Sequence, residues 1–263
     1  MVRGRTVGQV APRLARMASE QAGRGSTRSA VVWAGLQPAL QGDPRDVLDI
    51  GGGTGGLAVR VGGLGHRVTV VDPSPDALAA LDRRAREHDV EVTGRQGDLS
   101  SLLDVVGPDS ADVVLCHGVL EIVDDPVAAL TTLARVVRPG GVLSLLAAQS
   151  HAAVVARAMA GHFQQALALL DSSTSGAQSP AAVAPTGRTG RRYTHAELTA
   201  LVVGAGFVAD EVHAIRVFTD LVPGSLLDLE PGASAALVEL EQAVATRPEY
   251  LPLATQVHLL AHR

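Results

Sequence analysis

The stretch Val47-Leu-Asp-Ile-Gly-Gly-Gly-Thr-Gly-Gly56 decides the fold of this chain. Its first residues predict a buried strand, its glycines predict a sharp turn, and the residues that follow predict the start of a helix. Glycine lets the backbone approach a ligand closely, and a helix start offers free N–H groups to that ligand. This order of elements favours a small-ligand site at the turn over a glycine turn without a ligand.

Short apolar segments alternate with amphipathic segments on both sides of the turn. Strands are predicted at Asp46–Ile50, Arg67–Asp72, Val90–Arg95, Ala111–Cys116 and Gly141–Ala147, and helices at Thr54–Gly63, Pro75–His88 and Pro126–Val137. Such alternation implies right-handed crossovers and a ligand at the carboxyl ends of the strands. We predict an α/β, Rossmann-like, doubly wound sheet of seven mostly parallel strands, with an N-terminal helical cap and an antiparallel C-terminal strand.

The flanking regions predict helices, a loop and two further strands. Ser26 is predicted to cap a helix that runs to about Leu40 and covers the cofactor. The later elements are predicted as a helix at His151–Leu170, a mobile loop at Asp171–Gly190, a helix at Thr194–Val203, a strand near Phe207–Phe218, a helix at Gly232–Ala245 and a strand near Thr255–His262. We expect a single domain, residues 1–263, with a helical cap (1–42), a cofactor-binding core (43–148) and a region of lid helices, the loop 171–190 and the last strands (149–263).

Composition excludes several classes of protein. A formal net charge of -5 argues against a general nucleic-acid coat, although a local basic groove stays open. The lone Cys116 excludes an internal disulfide framework. No apolar run reaches the roughly 20 residues that span a bilayer. We therefore expect a cytoplasmic protein without a membrane partner, and the arginines near the N-terminus are interpreted as part of the cap rather than as a targeting signal.

Two classes of ligand fit the glycine turn by spacing alone. Gly51, Gly53 and Gly55 fit the pattern of methyltransferases, whereas Gly51, Gly53 and Gly56 satisfy the dinucleotide fingerprint equally well. Asp49 favours the first class. A carboxylate just before the glycines would face the cationic amino-acid end of S-adenosylmethionine, and it would repel a pyrophosphate.

Four more residues complete the predicted cofactor site. Asp72 closes the second strand, where a carboxylate accepts hydrogen bonds from a ribose diol of either ligand. Asp98 is predicted to accept from the adenine amino group while Leu99 packs on the ring; capping of the next helix is the alternative role for Asp98. His117 ends the fourth strand beside the expected sulfonium, where cofactor contact is favoured over a general base or a backbone hydrogen bond. Cys116 is interpreted as a buried apolar residue, and the sequence carries no metal signature.

Several segments outside the turn carry a more specific pattern. They are Arg24–Arg28 with Trp33, Val114–Pro126, Arg138–Leu145, Gly161–Phe163, Arg216–Phe218 with Asp220, Leu237–Glu241, and Pro248–Tyr250 leading to His258. In these segments the chain resembles class I methyltransferases and, more closely, the tRNA 5-carboxymethoxyuridine methyltransferase family. The likeness runs nearly from end to end.

The resemblance implies a set of contacts and a reaction. The residues implied to contact S-adenosylmethionine are Arg28, Gly51, Gly52, Asp72, Asp98, Leu99 and His117. Arg28 would pair with the methionine carboxylate, and a solvated helix residue is the alternative. Members of the family esterify the carboxymethoxy group of a wobble uridine and leave S-adenosylhomocysteine. A carboxylate acceptor is ionised at neutral pH, so it needs positioning more than a base.

The acceptor side is predicted from arginines. The candidates for binding the acceptor are His151, Arg191, Arg192 and Arg216. Arg216 is favoured because its guanidinium matches a planar carboxylate, and the alternative is an ion pair with Asp220 or Glu239. The segment Asp171–Gly190 is rich in Ser, Ala and Pro where the family carries a lysine-rich tract. We expect the acceptor to be tRNA or a small carboxylate-containing molecule, and a non-catalytic cofactor-binding module is the less favoured alternative.

Overall fold

One mixed sheet organises the chain in the computed structural model, which describes residues 24–174, 190–223, 227 and 231–263. Its strands in that part of the chain are β1 (Asp46–Ile50), β2 (Arg67–Asp72), β3 (Val92–Gln96), β4 (Ala111–His117), β5 (Val137–Ala148), β6 (Val208–Ile215) and β7 (Gln256–His262). Their order is β3-β2-β1-β4-β5-β7-β6, with β7 antiparallel to both neighbours and the other six strands parallel. The predicted fold is confirmed, and this order differs from the 3-2-1-4-5-6 order of dinucleotide-binding folds.

Helices cover both faces of the sheet. In the described residues they are α1 (Arg24–Leu36), α2 (Gly56–Gly62), α3 (Pro75–Glu87), α4 (Leu102–Val106), α5 (Pro126–Val136), α6 (Ser150–Met159), α7 (Phe163–Thr174), α8 (His195–Gly204) and α9 (Ala233–Val244), with 3-10 turns at Gln37–Leu40 and Pro248–Leu253. Helices α1, α2 and α3 pack on one face of β1, and α4, α5 and α8 pack on the other face. None of the described helices is long and apolar enough to cross a bilayer.

Local sequence explains where the crossover helices begin. The side chain of Ser74 accepts a hydrogen bond from Ala77 N at the start of α3, and Asp125 accepts from Val127 N and Ala128 N at the start of α5. In both helices a proline follows the capping residue, where its missing N–H costs nothing. These caps end the loops after β2 and β4, so polar groups collect at the carboxyl edge of the sheet.

Two helix predictions need correction. Ser26 lies inside α1, whose described part already begins at Arg24, so the prediction that Ser26 caps this helix is wrong. The single helix predicted over His151–Leu170 is two helices, because Gly161 adopts a φ of +76° between them.

The first residues of the predicted mobile loop are helical. Helix α7 continues to Thr174, four residues into the predicted loop 171–190. Residues 175–189 lie outside the described part of the chain. The prediction that they are mobile therefore stays a prediction.

Candidate active site

The glycine turn joins β1 to α2 at the carboxyl edge of the sheet. Gly51, Gly53 and Gly55 have φ angles of +65°, +56° and +74°, in the left-handed region that favours glycine. A Cβ atom on Gly51 would lie 2.6 Å from Val119 Cγ2, whereas a Cβ on Gly56 would meet nothing closer than 3.9 Å. The backbone thus requires glycine at the three positions of the methyltransferase spacing and does not require it at Gly56 of the dinucleotide fingerprint.

Asp72 ties the end of β2 to this turn. Its Oδ2 atom accepts a hydrogen bond from Gly53 N at 2.9 Å, and its Oδ1 atom accepts one from Ser74 N at 2.9 Å. The side chain is buried. Each carboxylate oxygen retains lone-pair capacity for a ligand, so Asp72 can orient the glycine turn and still accept from a diol.

Asp49 supplies a second buried carboxylate at the same place. Burial first, and then the nearby Asp72, raise the pKa of Asp49 to about 7. The Oδ2 atom of Asp49 lies 2.6 Å from the position that a Cβ on Gly52 would take, so the carboxylate rests against the glycine turn. Two adjacent carboxylates would attract a cation and repel a pyrophosphate, which fits a sulfonium ligand.

Asp98 follows β3 and already has structural partners. Its Oδ1 atom accepts hydrogen bonds from the backbone and hydroxyl groups of Ser100 and Ser101, at distances of 2.6 to 3.2 Å. These bonds lower the pKa of Asp98, that from Ser100 most of all. These bonds close a turn before α4, whose N-cap residue is Ser101, so the alternative role of Asp98 as the cap of that helix is wrong. Leu99, beside it, is buried in the core.

Helix α1 brings Arg28 to the same edge. Burial lowers the pKa of Arg28, Arg216 lowers it further, and Glu121 raises it. Burial first, and then the charge of Arg28, lower the pKa of His117 to about 3. Arg28 therefore lies within electrostatic reach of His117 at the end of β4, of Glu121 beyond it and of Arg216 after β6.

Glu121 is a residue to which the sequence reasoning gave no role. Its Oε1 atom accepts from Ala148 N at 2.8 Å, and its Oε2 atom is buried without a partner in the described residues. Burial raises the pKa of Glu121, and the positive charges of Arg28 and Arg192 oppose this. The signal available in the sequence was a single acidic residue between the apolar Leu120 and Ile122.

The segment 190–194 closes over the ends of β4 and β5. Tyr193 N donates to Ala148 O at 2.9 Å, Tyr193 OH donates to Leu120 O at 2.9 Å, and Arg191 N donates to Glu121 O at 2.7 Å. Arg191 and Arg192 are therefore brought together beside Glu121. Arg191 Nη1 and Arg192 Nε are buried without a partner among the described residues.

Arg216 follows β6 in a turn that Glu241 fixes. The buried Glu241 carboxylate accepts from the backbone N–H groups of Val217, Phe218 and Thr219 at 2.8 to 2.9 Å. This is why β6 ends at Ile215 and the strand predicted to Phe218 is too long. Arg216 has a φ of +60° just before these bonds.

The alternative interpretation of Arg216, an ion pair with Asp220, is present in the structure. Arg216 Nε nevertheless stays buried and unpartnered within the described residues. His151 differs from the other three acceptor candidates, because its side chain is exposed in the first turn of α6 whereas Arg191, Arg192 and Arg216 are half-buried. No group of three or more His, Cys, Asp or Glu side chains among the described residues could hold a metal ion.

The sheet order and the glycine turn define a class I methyltransferase fold with a site suited to a cationic nucleoside. Residues 48–145 match a family model described as a methyltransferase domain. A tRNA 5-carboxymethoxyuridine methyltransferase of Escherichia coli (strain K12) is 28% identical over 250 residues, which cover 91% of this chain and 89% of that protein. A ubiquinone biosynthesis O-methyltransferase of Alkalilimnicola ehrlichii is 41% identical over 97 residues, 37% of this chain and 39% of that protein.

A solved structure gives the same result for the fold. The SAM-dependent methyltransferase from Methanosarcina mazei superposes with a TM-score of 0.59 at 18% identity and covers 87% of this chain and 96% of its own. The protein is an S-adenosylmethionine-dependent methyltransferase.

Proposed function

We propose that this enzyme transfers a methyl group to a carboxylate oxygen, and that its acceptor is 5-carboxymethoxyuridine in tRNA. The observation that carries the proposal is a group of four guanidinium groups, which we call the arginine cluster: Arg28, Arg191 and Arg192 beside Glu121, and Arg216 within electrostatic reach of Arg28. The Escherichia coli relative that matches over 91% of this chain is a tRNA 5-carboxymethoxyuridine methyltransferase, which supports the choice of acceptor. A tRNA acceptor would also agree with the expected cytoplasmic location.

The cofactor side of the proposed site lies at the ends of β1, β2, β3 and β4. We assign cofactor contact to Arg28, Asp49, Gly51, Gly52, Gly53, Gly55, Asp72, Asp98, Leu99 and His117. The glycine turn supplies close backbone approach, and carboxylates at successive strand ends supply acceptors for the ribose and the adenine. The residues present therefore fit S-adenosylmethionine.

The acceptor side has an excess of positive charge. Buried nitrogens of Arg191, Arg192 and Arg216 lack partners in the described residues, and a buried donor without a partner costs free energy. Glu121 neutralises one charge, and Asp220 pairs with Arg216. An acceptor that carries an anion would satisfy the remaining donors, and guanidinium groups bind carboxylates in a planar, bidentate geometry.

The chemistry needs no base on this acceptor. The carboxylate oxygen bonds to the methyl carbon as the carbon–sulfur bond breaks, the electron pair stays on sulfur, and no proton is released. His117 is neutral with a pKa near 3, and burial raises the pKa of the Cys116 thiol. Neither side chain is suited to remove a proton at neutral pH, so an acceptor that is already ionised fits the site best.

The second candidate is a small metabolite that carries a carboxylate. The observation in its favour is that the arginine cluster is half-buried, which suits one small anion rather than a long phosphate backbone. The likeness to ubiquinone biosynthesis O-methyltransferases covers 37% of this chain, and it supports a methyl transfer to oxygen without specifying the acceptor.

One labelling experiment separates the two candidates. The enzyme is incubated with S-adenosylmethionine that carries a deuterated methyl group, once with total tRNA and once with a metabolite extract. Mass spectrometry of the tRNA nucleosides should show the label in a carboxymethoxyuridine. Label in an extract component and none in tRNA would transfer support to the second candidate.

The arginine cluster is tested by one substitution and a matched control. Arg216→Ala should raise the acceptor KM and lower turnover while cofactor affinity is unchanged, because Arg216 would contact the acceptor alone. Arg83→Ala removes an exposed arginine of α3 and should change neither constant. Normal kinetics for Arg216→Ala would return that residue to a role in the ion pair with Asp220.

A further inference from the structure

A buried hydrogen-bonded chain leads from the active site into the sheet. His117 Nε2 lies 2.8 Å from Ser144 Oγ, and the same Oγ lies 2.8 Å from His258 Nε2. Ser144 and His258 are buried completely in adjacent strands, β5 and β7. The Ser144 hydroxyl group in β5 therefore bridges two imidazole rings, that of His117 in β4 and that of His258 in β7.

The bridge couples the protonation of the two rings. Ser144 has a single hydroxyl hydrogen, so it donates to one imidazole and accepts from the other. If it donates to His117, then His117 carries its hydrogen on Nδ1 and His258 carries its hydrogen on Nε2. If it donates to His258, both assignments are reversed.

The surroundings of His258 select between the two arrangements. His258 Nδ1 is buried without a partner in the described residues, and the ring stacks on His213 with a centroid distance of 5.3 Å. The nearby His213 Nδ1 also lacks a partner there, and its Nε2 faces Glu211 at 3.4 Å. An orphaned buried N–H donor is rarer than an orphaned acceptor. His258 Nδ1 is therefore the unprotonated atom, and His258 donates from Nε2 to Ser144.

We propose that Ser144 and His258 are positioning residues that hold His117 in its Nδ1–H tautomer, so that His117 presents a hydrogen-bond donor to the bound molecule. Ser144 donates to His117 Nε2, so that nitrogen is engaged inside the sheet. The other ring nitrogen, Nδ1, is then available to the bound molecule. The His117 side chain is partly exposed, although Ser144 and His258 are not. His117 then acts as a donor to an anionic oxygen and not as a proton acceptor.

The identity of the anionic oxygen rests on the proposed function. The tautomer of His117 does not depend on it. Low pKa values of His117 and His258, caused first by burial, agree with two neutral rings at neutral pH. The tautomers can therefore be measured on the protein itself, with or without an acceptor.

The test is nitrogen NMR of the histidine rings in protein labelled with 15N-histidine. Long-range 15N–1H spectra distinguish a protonated ring nitrogen from an unprotonated one, and His117→Gln and His258→Gln assign the two rings. We expect protonated Nδ1 in His117 and protonated Nε2 in His258, for the protein alone and with S-adenosylhomocysteine. A His117 that carries its hydrogen on Nε2, or a cationic His117, would overturn the proposal.

Kinetics gives the second readout. Ser144→Ala should give His117 a mixture of tautomers and lower the rate of methyl transfer to tRNA about tenfold, the effect of one net hydrogen bond. Ser110→Ala is the matched control, since the Ser110 hydroxyl donates to Gly107 O outside this chain of bonds. A Ser144→Ala enzyme with normal tautomers and normal rate would overturn the positioning role. Absence of any activity on tRNA in wild-type protein would instead count against the proposed acceptor and leave the tautomer result standing.

Discussion

Cofactor binding should depend on pH through Asp49. This buried carboxyl has a pKa of about 7 because burial and Asp72 both disfavour its charge. A cation bound beside it would favour the charged form and lower its pKa. S-adenosylmethionine should therefore bind the ionised form more tightly and release a proton when it binds near neutral pH.

The size of the effect follows from that pKa. About nine-tenths of Asp49 would be ionised at pH 8 and about one-tenth at pH 6, so affinity should fall roughly tenfold between these values, ~1.4 kcal/mol. The effect on stability without a cofactor has the opposite sign. Since the folded-state pKa is raised, the contribution of Asp49 to the free energy of unfolding is fully present below its unfolded pKa of 3.8. This contribution is lost as pH rises through about 7.

Titration calorimetry in two buffers of different ionisation enthalpy measures both the affinity and the proton release. Asp49→Asn is the control, because an amide does not titrate, and subtraction of its curve removes the titration of the ligand itself. The wild-type protein should show a proton release that the Asp49→Asn protein lacks. Identical pH profiles for the two proteins would refute the placement of Asp49 beside the cationic group.

Three further outcomes follow from the contacts at the site. Asp72→Ala should weaken S-adenosylmethionine binding by about 1–3 kcal/mol by calorimetry, because a carboxylate that accepts hydrogen bonds is lost. Gly55→Ala should destabilise the protein by more than about 1 kcal/mol in urea unfolding, since Gly55 has a φ of +74° and a Cβ there would overlap Leu81. The control Gly56→Ala should have a free energy of unfolding within about 0.5 kcal/mol of wild type. Glu241→Gln should raise the acceptor KM severalfold in steady-state kinetics without a change in cofactor affinity, and an unchanged acceptor KM would show that the turn after β6 does not position the acceptor.

Much of the fold was predictable because it depends on local patterns. The apolar periodicity of β1, β2 and β4 and the breaks between them gave the parallel core, and Asp125 with Pro126 marked the start of α5. The adjacent Asp49 favoured one of the two glycine patterns, but the backbone requirement for glycine could not be predicted locally. It depended on backbone angles at Gly55 and Gly56 and on the leucine packed against the turn.

The parts of the site that escaped prediction depend on long-range contacts. Ser144 and His258 are 114 residues apart and meet because β5 and β7 are adjacent. Glu121 acquires its surroundings from Ala148 and from Arg192 far along the chain. Sequence spacing does not reveal such partners, since it is the order of strands in the sheet that brings them together.

Methyl transfer to a carboxylate oxygen can be tested by the chemical stability of the product. The enzyme is incubated with total tRNA and S-adenosylmethionine labelled in its methyl group, and the recovered tRNA is treated with mild base. A methyl ester should release its label as methanol, whereas a methyl group on nitrogen, carbon or an ether oxygen should be retained. Base-stable label in the product would contradict the account.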